Sequence, residues 1–280
     1  MTIALANEKS EQLLRDGYCL FEQVMDRDLL ERVREVSDQM FDAQPAEHFE
    51  QQKSTGSMIN IHENPFFAEL VSAEGALASL AALGFDKPKW WSGFIISKPP
   101  HSPPLFWHQD WWGWNDEISY TWDQPQQAFL MWYLQDTTQE NGCLRLIKGS
   151  HRKRHVVHEY VPDAHTAELR RMADPDHPAY QCHEDEVEVT VKAGDLVIGD
   201  SRLLHSAHAN KTNQRRTVIT LWYFPTWDEL SEPIRAHIAN RELPESWKGE
   251  AMARLESLVP AYNGDAGGIE WNRIPGERLQ

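Results

Sequence analysis

Residues 194–205 read GDLVIGDSRLLH, a turn followed by a short apolar run that leads to His205. Gly194 and Asp195 are typical turn residues, and the apolar run after them is typical of a buried strand. Arg216 follows His205 by eleven positions, and a second β-rich run, 217–224, comes directly after it. The stretch therefore predicts two strands of one sheet that carry a histidine and an arginine.

Further strands are predicted on both sides of this stretch. Residues 90–97 are rich in aromatic and β-branched side chains, 128–134 are almost continuously apolar, and 187–191 alternate valine with polar residues. The first 45 residues predict two helices around a short strand, and residues 228–280 look helical and polar. Many short strands within a helical frame predict a mostly β fold with flanking helices, a double-sheet jelly roll of the cupin type.

No Gly/Ser linker divides the sequence, so we expect one domain over residues 1–280 with a core at about 10–225. Residues 151–186 interrupt the strand pattern with several prolines and six histidines, and they predict an insert or lid. We expect the histidines at 155–183 to be mostly solvent-exposed, with one or two available to a substrate. Residues 228–280 are expected to form a helical C-terminal extension.

Composition excludes several classes of partner. The formal net charge of −16 argues against nucleic acid and against an anionic membrane surface. No apolar run approaches the roughly 18 residues that a membrane-spanning helix needs. Three scattered cysteines without a CxxC pair favour reduced thiols, and the N-terminal residues do not resemble a signal peptide. We expect a cytoplasmic protein, a monomer or a homodimer, that acts on a small molecule.

His108-Gln109-Asp110 is the second informative motif. At strand spacing, positions 108 and 110 project from the same face of a sheet. Together with His205 they supply two imidazoles and one carboxylate, the facial triad of non-haem Fe(II) oxygenases. Arg216 has the planar guanidinium that meets a carboxylate with two hydrogen bonds, which suits an α-keto acid. Arg215, its neighbour, is the alternative, although it would face the opposite side of the strand.

The segment ENGCLRLIKGSH at residues 140–151, the 194–216 stretch and the opening Asp16-Gly17-Tyr18 occur together. This combination resembles the phytanoyl-CoA dioxygenase family over about residues 10–225. The spacing of the family's distal motif favours His205 over His208 as the second histidine ligand. His151, which closes the GSH turn, is expected to make a structural hydrogen bond.

The resemblance implies a double-stranded β-helix that binds Fe(II) and consumes 2-oxoglutarate and O₂, releasing succinate and CO₂. It assigns His108, Asp110 and His205 as metal ligands and Arg216 as the partner of the 2-oxoglutarate carboxylate. Because the carboxylate ligand is present, hydroxylation of an unactivated C–H bond is favoured over halogenation. One departure is Ala207, where some relatives carry a serine that holds 2-oxoglutarate.

Four more residues are assigned from their positions. Trp132 and Lys98 are predicted to contact 2-oxoglutarate, and Trp111 and Trp112, directly after Asp110, are predicted to contact the substrate. The alternative to an oxygenase is a non-catalytic or keto-acid-independent metal-binding jelly-roll protein. The intact triad together with Arg216 favours the 2-oxoglutarate-dependent enzyme, since a binding module has no need of all four residues.

Overall fold

The structure is a computed structural model that describes residues 2–162, 164–239 and 242–280. The described chain contains nine β-strands. They are β1 (Tyr18–Phe21), β2 (Met58–Asn60), β3 (Lys89–Lys98), β4 (Ala128–Tyr133), β5 (Leu144–Ile147), β6 (Glu186–Val189), β7 (Leu196–Asp200), β8 (His205–Ala207) and β9 (Arg216–Phe224).

Two antiparallel sheets face each other. The larger has the order β1-β7-β4-β9-β3-β2, and the smaller has the order β6-β5-β8. Apolar side chains from both sheets meet between them, including Met131 and Val218 from the larger and Leu144 and Leu146 from the smaller. This is the jelly roll that the sequence predicted, and the strands at 90–97, 128–134 and 217–224 are confirmed.

Ten short to medium helices surround the sheets in the described residues. They are α1 (Ile3–Asp16), α2 (Arg27–Asp42), α3 (Ala46–Gln51), α4 (Phe67–Val71), α5 (Glu74–Ala82), α6 (Ile118–Thr121), α7 (Val157–Tyr160), α8 (Ala167–Arg171), α9 (Glu232–Ile238) and α10 (Glu250–Leu255). Gly17 ends α1 in the left-handed conformation, with φ of 87°, and the Asp26 carboxylate caps α2 by accepting from the Leu29 N–H. The two N-terminal helices around a strand are thus confirmed.

The main hydrophobic core lies between the larger sheet and these helices. The outward-facing residues of β4, β7 and β9 pack there against Val33 of α2, Leu70 of α4 and Leu80 of α5. Burial of this helix-facing layer leaves the other face of the sheet to line the interior of the jelly roll.

The 151–186 segment packs closely on the barrel. It contains α7, α8 and a 3₁₀ turn at Pro178–Tyr180, and its apolar residues cover Phe106 and Trp107. His151 and His158 are 1% and 4% exposed. The other histidines at 155–183 are partly buried, so the expectation that they are mostly exposed is wrong. His151 forms the structural hydrogen bond predicted for it, to the Leu14 carbonyl. Asp163 lies outside the described residues.

The C-terminal part is less helical than the sequence suggested. Beyond α9 and α10 it has 3₁₀ turns at Trp227–Glu229 and Glu245–Trp247, while residues 259–280 contain no helix. Instead the chain returns to the barrel, where Asn272 pairs with the backbone of Trp112 and Trp114. Asn240 and Arg241 lie outside the described residues. Across the described ranges, none of the helices has the length and apolar character required to cross a bilayer.

A buried ion pair holds the turn of the chain that leads to His205. Asp200 and Arg202 are both about 2% exposed in their side chains, and their closest oxygen–nitrogen distance is 2.6 Å. The Arg202 guanidinium also donates to the carbonyls of Ser119, Trp122 and Gln124. The pair therefore ties the turn before β8 to the loop around α6.

Asp200→Asn should lower the free energy of unfolding by about 3–5 kcal/mol, because it leaves the buried Arg202 cation without its carboxylate. Urea denaturation followed by circular dichroism measures this change. The control is Glu31→Gln, which removes an exposed ion pair with Arg27 and should cost about 0.5 kcal/mol or less. Similar losses in the two variants would contradict the role given to the buried pair.

Candidate metal and cosubstrate site

Backbone pairing brings the two motifs together. His108 and His205 form an antiparallel bridge with N–H to carbonyl distances of 3.0 and 2.9 Å, and the N–H groups of Asp110 and Trp111 both donate to the Ser201 carbonyl. Residues at least 90 positions apart in the sequence thus become neighbours.

The Asp110 carboxylate lies between the two histidines that the sequence predicted as ligands. Oδ1 of Asp110 lies 3.8 Å from Nε2 of His108, and Oδ2 lies 3.7 Å from Nε2 of His205. All three residues are at most 7% exposed. A carboxylate with one oxygen toward each imidazole can share a cation with both of them.

Backbone carbonyls set the tautomers of both imidazoles. Nδ1 of His108 lies 3.0 Å from the Phe106 carbonyl, and Nδ1 of His205 lies 3.0 Å from the Leu203 carbonyl. A carbonyl only accepts, so Nδ1 carries the proton and the Nε2 lone pair faces Asp110. Burial, reinforced by His205, lowers the pKa of His108 to about 3. The ring is therefore neutral near pH 7, which is the form that binds a metal.

His165, from the insert, is a third imidazole at this point that the sequence did not single out. Its Nε2 lies 4.0 Å from Oδ1 of Asp110, and its ring packs edge-on against His108 with centroids 5.1 Å apart. With His108 and Asp110 it forms a set that could hold a metal ion. However, Nε2 of His165 donates to the Gln109 carbonyl at 3.3 Å. This nitrogen therefore carries a proton and has no lone pair for a metal in this arrangement. His205 fits the third ligand position better.

Trp222 holds the carboxylate ligand in place. Its indole Nε1 donates to Oδ2 of Asp110 at 2.9 Å. Sequence reasoning missed this contact, although Trp222 lies on the same strand face as Arg216, six residues away on β9. Hydrogen bonds of this kind orient metal ligands and raise their affinity.

Arg216 lies farther along the same cavity. The cavity begins at the triad and is walled by apolar side chains, among them Ile96, Met131 and Val218. Arg216 is 3% exposed, and among the described residues no carboxylate pairs with its guanidinium. Burial lowers the pKa of Arg216 from its usual value. A buried cation without an acidic partner is costly, so this end of the cavity suits an anion.

Lys98, which the sequence analysis assigned to 2-oxoglutarate, stands beside Arg216. The two are directly paired across β3 and β9, and Lys98 is 1% exposed. Its ammonium donates to the carbonyls of Ser54 and Pro103 at 3.1 and 2.5 Å. Burial and then the Arg216 charge hold its pKa well below the usual range. Gly142 lets the lysine stem pass, because a Cβ there would lie 3.1 Å from Lys98 Cδ.

The alternatives to two of these residues lie elsewhere. Arg215 is on the outer face, where it pairs with Asp38 and Asp42 of α2. Nε2 of His208 lies 3.0 Å from Glu188 on the smaller sheet, away from the triad. Ala207 lines the cavity at the position where some relatives carry serine. The geometry thus favours Arg216 and His205.

Trp132 requires a correction. It faces the helix-covered core, not the cavity, because successive side chains of a strand point to opposite sides. Its neighbours Met131 and Tyr133 line the cavity instead, and Tyr133 lies beneath the Arg216 guanidinium with 6.0 Å between Cζ and the ring centroid. Contact between Trp132 and 2-oxoglutarate is therefore ruled out by this geometry.

Trp111 and Trp112 also require correction. Both are fully buried in a cluster with α9 and its flanking residues, and neither lines the cavities around the triad. The Trp111 indole donates to Ser119 Oγ at 2.8 Å, while Trp112 stacks on Trp271 at 4.9 Å between ring centroids. After Asp110 the chain turns away from the cavity, so these indoles support the wall and do not form it.

This donor set fits Fe(II) in a non-haem oxygenase. Two imidazoles and one carboxylate leave several coordination positions open, as the facial triad requires. The open side faces a cavity that ends at the buried Arg216 guanidinium with Lys98 beside it, which suits the carboxylate of a keto acid.

The model of the phytanoyl-CoA dioxygenase family matches residues 13–218. The chain belongs to this family. Phytanoyl-CoA dioxygenases from Arabidopsis thaliana and Oryza sativa subsp. japonica are 26% and 29% identical to it over 58% and 66% of this chain. The chain spans only 53% and 61% of those two proteins. The resemblance predicted from the motifs is thereby confirmed.

A solved structure supports the fold over the whole length. The epimerase SnoN, in complex with Fe³⁺, α-ketoglutarate and nogalamycin RO, superposes with a TM-score of 0.60 at 17% identity. The match covers 99% of this chain and 98% of that protein. The fold of this chain, including the segments outside the family match, is therefore shared with a solved structure.

Trp222→Phe should weaken binding of Fe(II) by about 10- to 100-fold, because Asp110 loses the hydrogen bond that orients it. Anaerobic titration with Fe(II) measures the affinity. Trp132→Phe is the matched control, since it changes a buried indole on the other face of the sheet. Equal metal affinity in wild type and Trp222→Phe would contradict this role.

Buried histidines should make the metal-free protein sensitive to acid. Burial lowers the pKa of His158 to about 4, whereas the unfolded value is about 6.5. Between these values the unfolded chain binds a proton that the folded chain does not, so stability falls as the pH drops from 6.5 to 4. The expected loss is about 1.4 kcal/mol per pH unit for this group.

Urea denaturation of the metal-free protein at several pH values tests this expectation. His158→Gln should flatten the dependence of the unfolding free energy on pH, and the exposed His101→Gln should not. An unchanged slope in His158→Gln would overturn the assignment.

Proposed function

We propose that the protein is an Fe(II)- and 2-oxoglutarate-dependent dioxygenase that oxidises an unactivated C–H bond of a small-molecule metabolite. Hydroxylation is the expected outcome. One observation carries the proposal: the Nε2 lone pairs of His108 and His205 and the Asp110 carboxylate meet at one end of a buried cavity whose other end holds Arg216. The proposed positions of the metal and the keto acid thus lie in the same cavity.

When bound, iron would supply the oxidising chemistry with O₂ and 2-oxoglutarate, giving succinate and CO₂. His108, Asp110 and His205 would hold it. The Phe106 and Leu203 carbonyls keep both imidazoles in the ligating tautomer, and Trp222 keeps the carboxylate turned toward them. These contacts prepare the metal site before any ligand arrives.

Arg216 and Lys98 bind the distal carboxylate of 2-oxoglutarate in this proposal. Arg216 offers a planar pair of donors, and the Lys98 side chain adds an N–H donor beside it. Both are buried among the residues that line the cavity, so the charge interaction is only weakly screened by water. The carboxylate would also complete the hydrogen bonding of Arg216, whose Nε is buried without a partner.

Apolar walls keep water out of the cavity. Ile96, Met131, Leu144 and Val218 line it between the triad and Arg216. Exclusion of water protects a reactive oxidant and strengthens the electrostatic contacts around it. A protein that only stored a metal would not need this dry channel with a cationic end.

Anaerobic titration of the Fe(II) protein with 2-oxoglutarate tests the proposal. The chelate of iron and keto acid gives a weak visible charge-transfer band. We expect the band in wild type and its loss in His205→Ala. In Arg216→Gln the Kd for 2-oxoglutarate should rise about 30-fold or more, since a buried charge pair is lost.

Arg215→Gln is the matched control, because the adjacent arginine faces α2. It should bind 2-oxoglutarate as wild type does. An iron-loaded wild type without the band would favour the alternative, a keto-acid-independent or non-catalytic metal-binding protein. A band that survives unchanged in Arg216→Gln would show that 2-oxoglutarate binds elsewhere.

A further inference from the structure

A second cavity adjoins the triad on the side away from Arg216. Five residues, Met58, Asp110, His165, Arg170 and Trp222, line both cavities, and the second cavity has a volume of about 320 Å³. This size is in the range of small-molecule sites. A substrate in it would lie directly beside the metal ligands.

The walls of this second cavity are aromatic. Trp91, Phe94, Trp222 and Trp271 line it. Trp271 is 41% exposed at its opening and is held from behind by Trp112, with the two rings nearly parallel at 8°. Such walls favour a ligand with an apolar or aromatic body.

Two arginines line the same cavity from opposite parts of the sequence. Arg170 comes from α8 of the insert, and Arg273 comes from the C-terminal segment. The Arg273 guanidinium lies over the Trp271 ring at 4.8 Å, and the Arg273 carbonyl accepts from the Gln109 side chain. Arg273 is therefore anchored next to the His108-Gln109-Asp110 motif.

The charge of this cavity is opposite to that of the molecule. Among the described residues that line it, Asp110 is the only acidic one, and its oxygens face the imidazoles. The whole chain nevertheless carries a net charge of −16. The two guanidinium groups that line the cavity are suitable hydrogen-bond donors for a carboxylate or a phosphate.

We propose that the substrate is an amphipathic anion, with a carboxylate or phosphate group bound by Arg170 and Arg273 and an apolar body held by the tryptophans. This inference rests on the proposed function, because it assigns the second cavity to the substrate of that reaction. The guanidinium groups fix the anion at the cavity wall, and the body then extends toward the triad.

Binding of matched probes tests the inference. The iron-loaded protein is kept anaerobic and saturated with 2-oxoglutarate, so that a probe cannot occupy the Arg216 end. Quenching of tryptophan fluorescence then reports binding of 3-phenylpropanoate, 3-phenylpropyl phosphate and the neutral 3-phenylpropanamide. We expect the carboxylate or the phosphate to bind about tenfold or more tightly than the amide, and the tighter of the two identifies the head group.

Arg170→Gln and Arg273→Gln should each remove most of this preference, while Arg170→Lys and Arg273→Lys should keep part of it. Arg171→Gln and Arg278→Gln are matched controls, since these neighbours make exposed ion pairs outside the cavity. The charge-transfer band of the same samples reports the 2-oxoglutarate site independently.

Equal binding of anion and amide overturns the inference, as does an anion Kd above about 10 mM in wild type. So does an anion preference that is unchanged in both glutamine variants. If the band is present in these cases, the proposed function stands and only the substrate class is wrong. A missing band with a retained anion preference removes the proposed function and leaves the anion site.

Discussion

The pairing of β9 with β3 on one side and β4 on the other decides which side chains enter the cavity. Along β9 the residues Arg216, Val218, Thr220 and Trp222 line it, whereas Ile219 and Leu221 between them face the helix-covered core. Because a strand repeats every two residues, a slip of one position would exchange the two sets. The register that places Lys98 opposite Arg216 therefore sets the cationic end and the contact to Asp110 together.

Much of this arrangement could be predicted from short-range patterns. The spacing of His108 and Asp110, the turn before β7 and the arginine that starts β9 are local signals, and the family motifs linked them. Which side chains of β4 face the cavity could not be predicted in the same way. All six of its residues are buried, so the sequence shows no polar alternation to tell Met131 and Tyr133 from Trp132.

Other parts of the site depend on contacts that no local pattern encodes. Trp111 and Trp112 directly follow the proposed ligand Asp110, yet their side chains lie outside the cavity. The backbone N–H groups of Asp110 and Trp111 both donate to the Ser201 carbonyl at the point where the chain leaves the cavity wall. His165 and Arg170 reach the site from the insert, and Arg273 arrives from a segment without helix or strand. Only the folded packing of these segments on the barrel shows that they belong to the site.

In the described structure, two kinds of chain segment contribute residues to the proposed sites. The strands and the bridge between His108 and His205 carry the proposed metal and keto-acid positions, and their register tolerates little change. The insert and the C-terminal segment carry Arg170, Trp271 and Arg273, and neither contributes one of these residues to a sheet hydrogen-bond ladder. Substitutions in those two segments would therefore change which molecules fit the second cavity and leave the proposed metal and keto-acid positions intact. By this route one scaffold can acquire new chemistry on new metabolites.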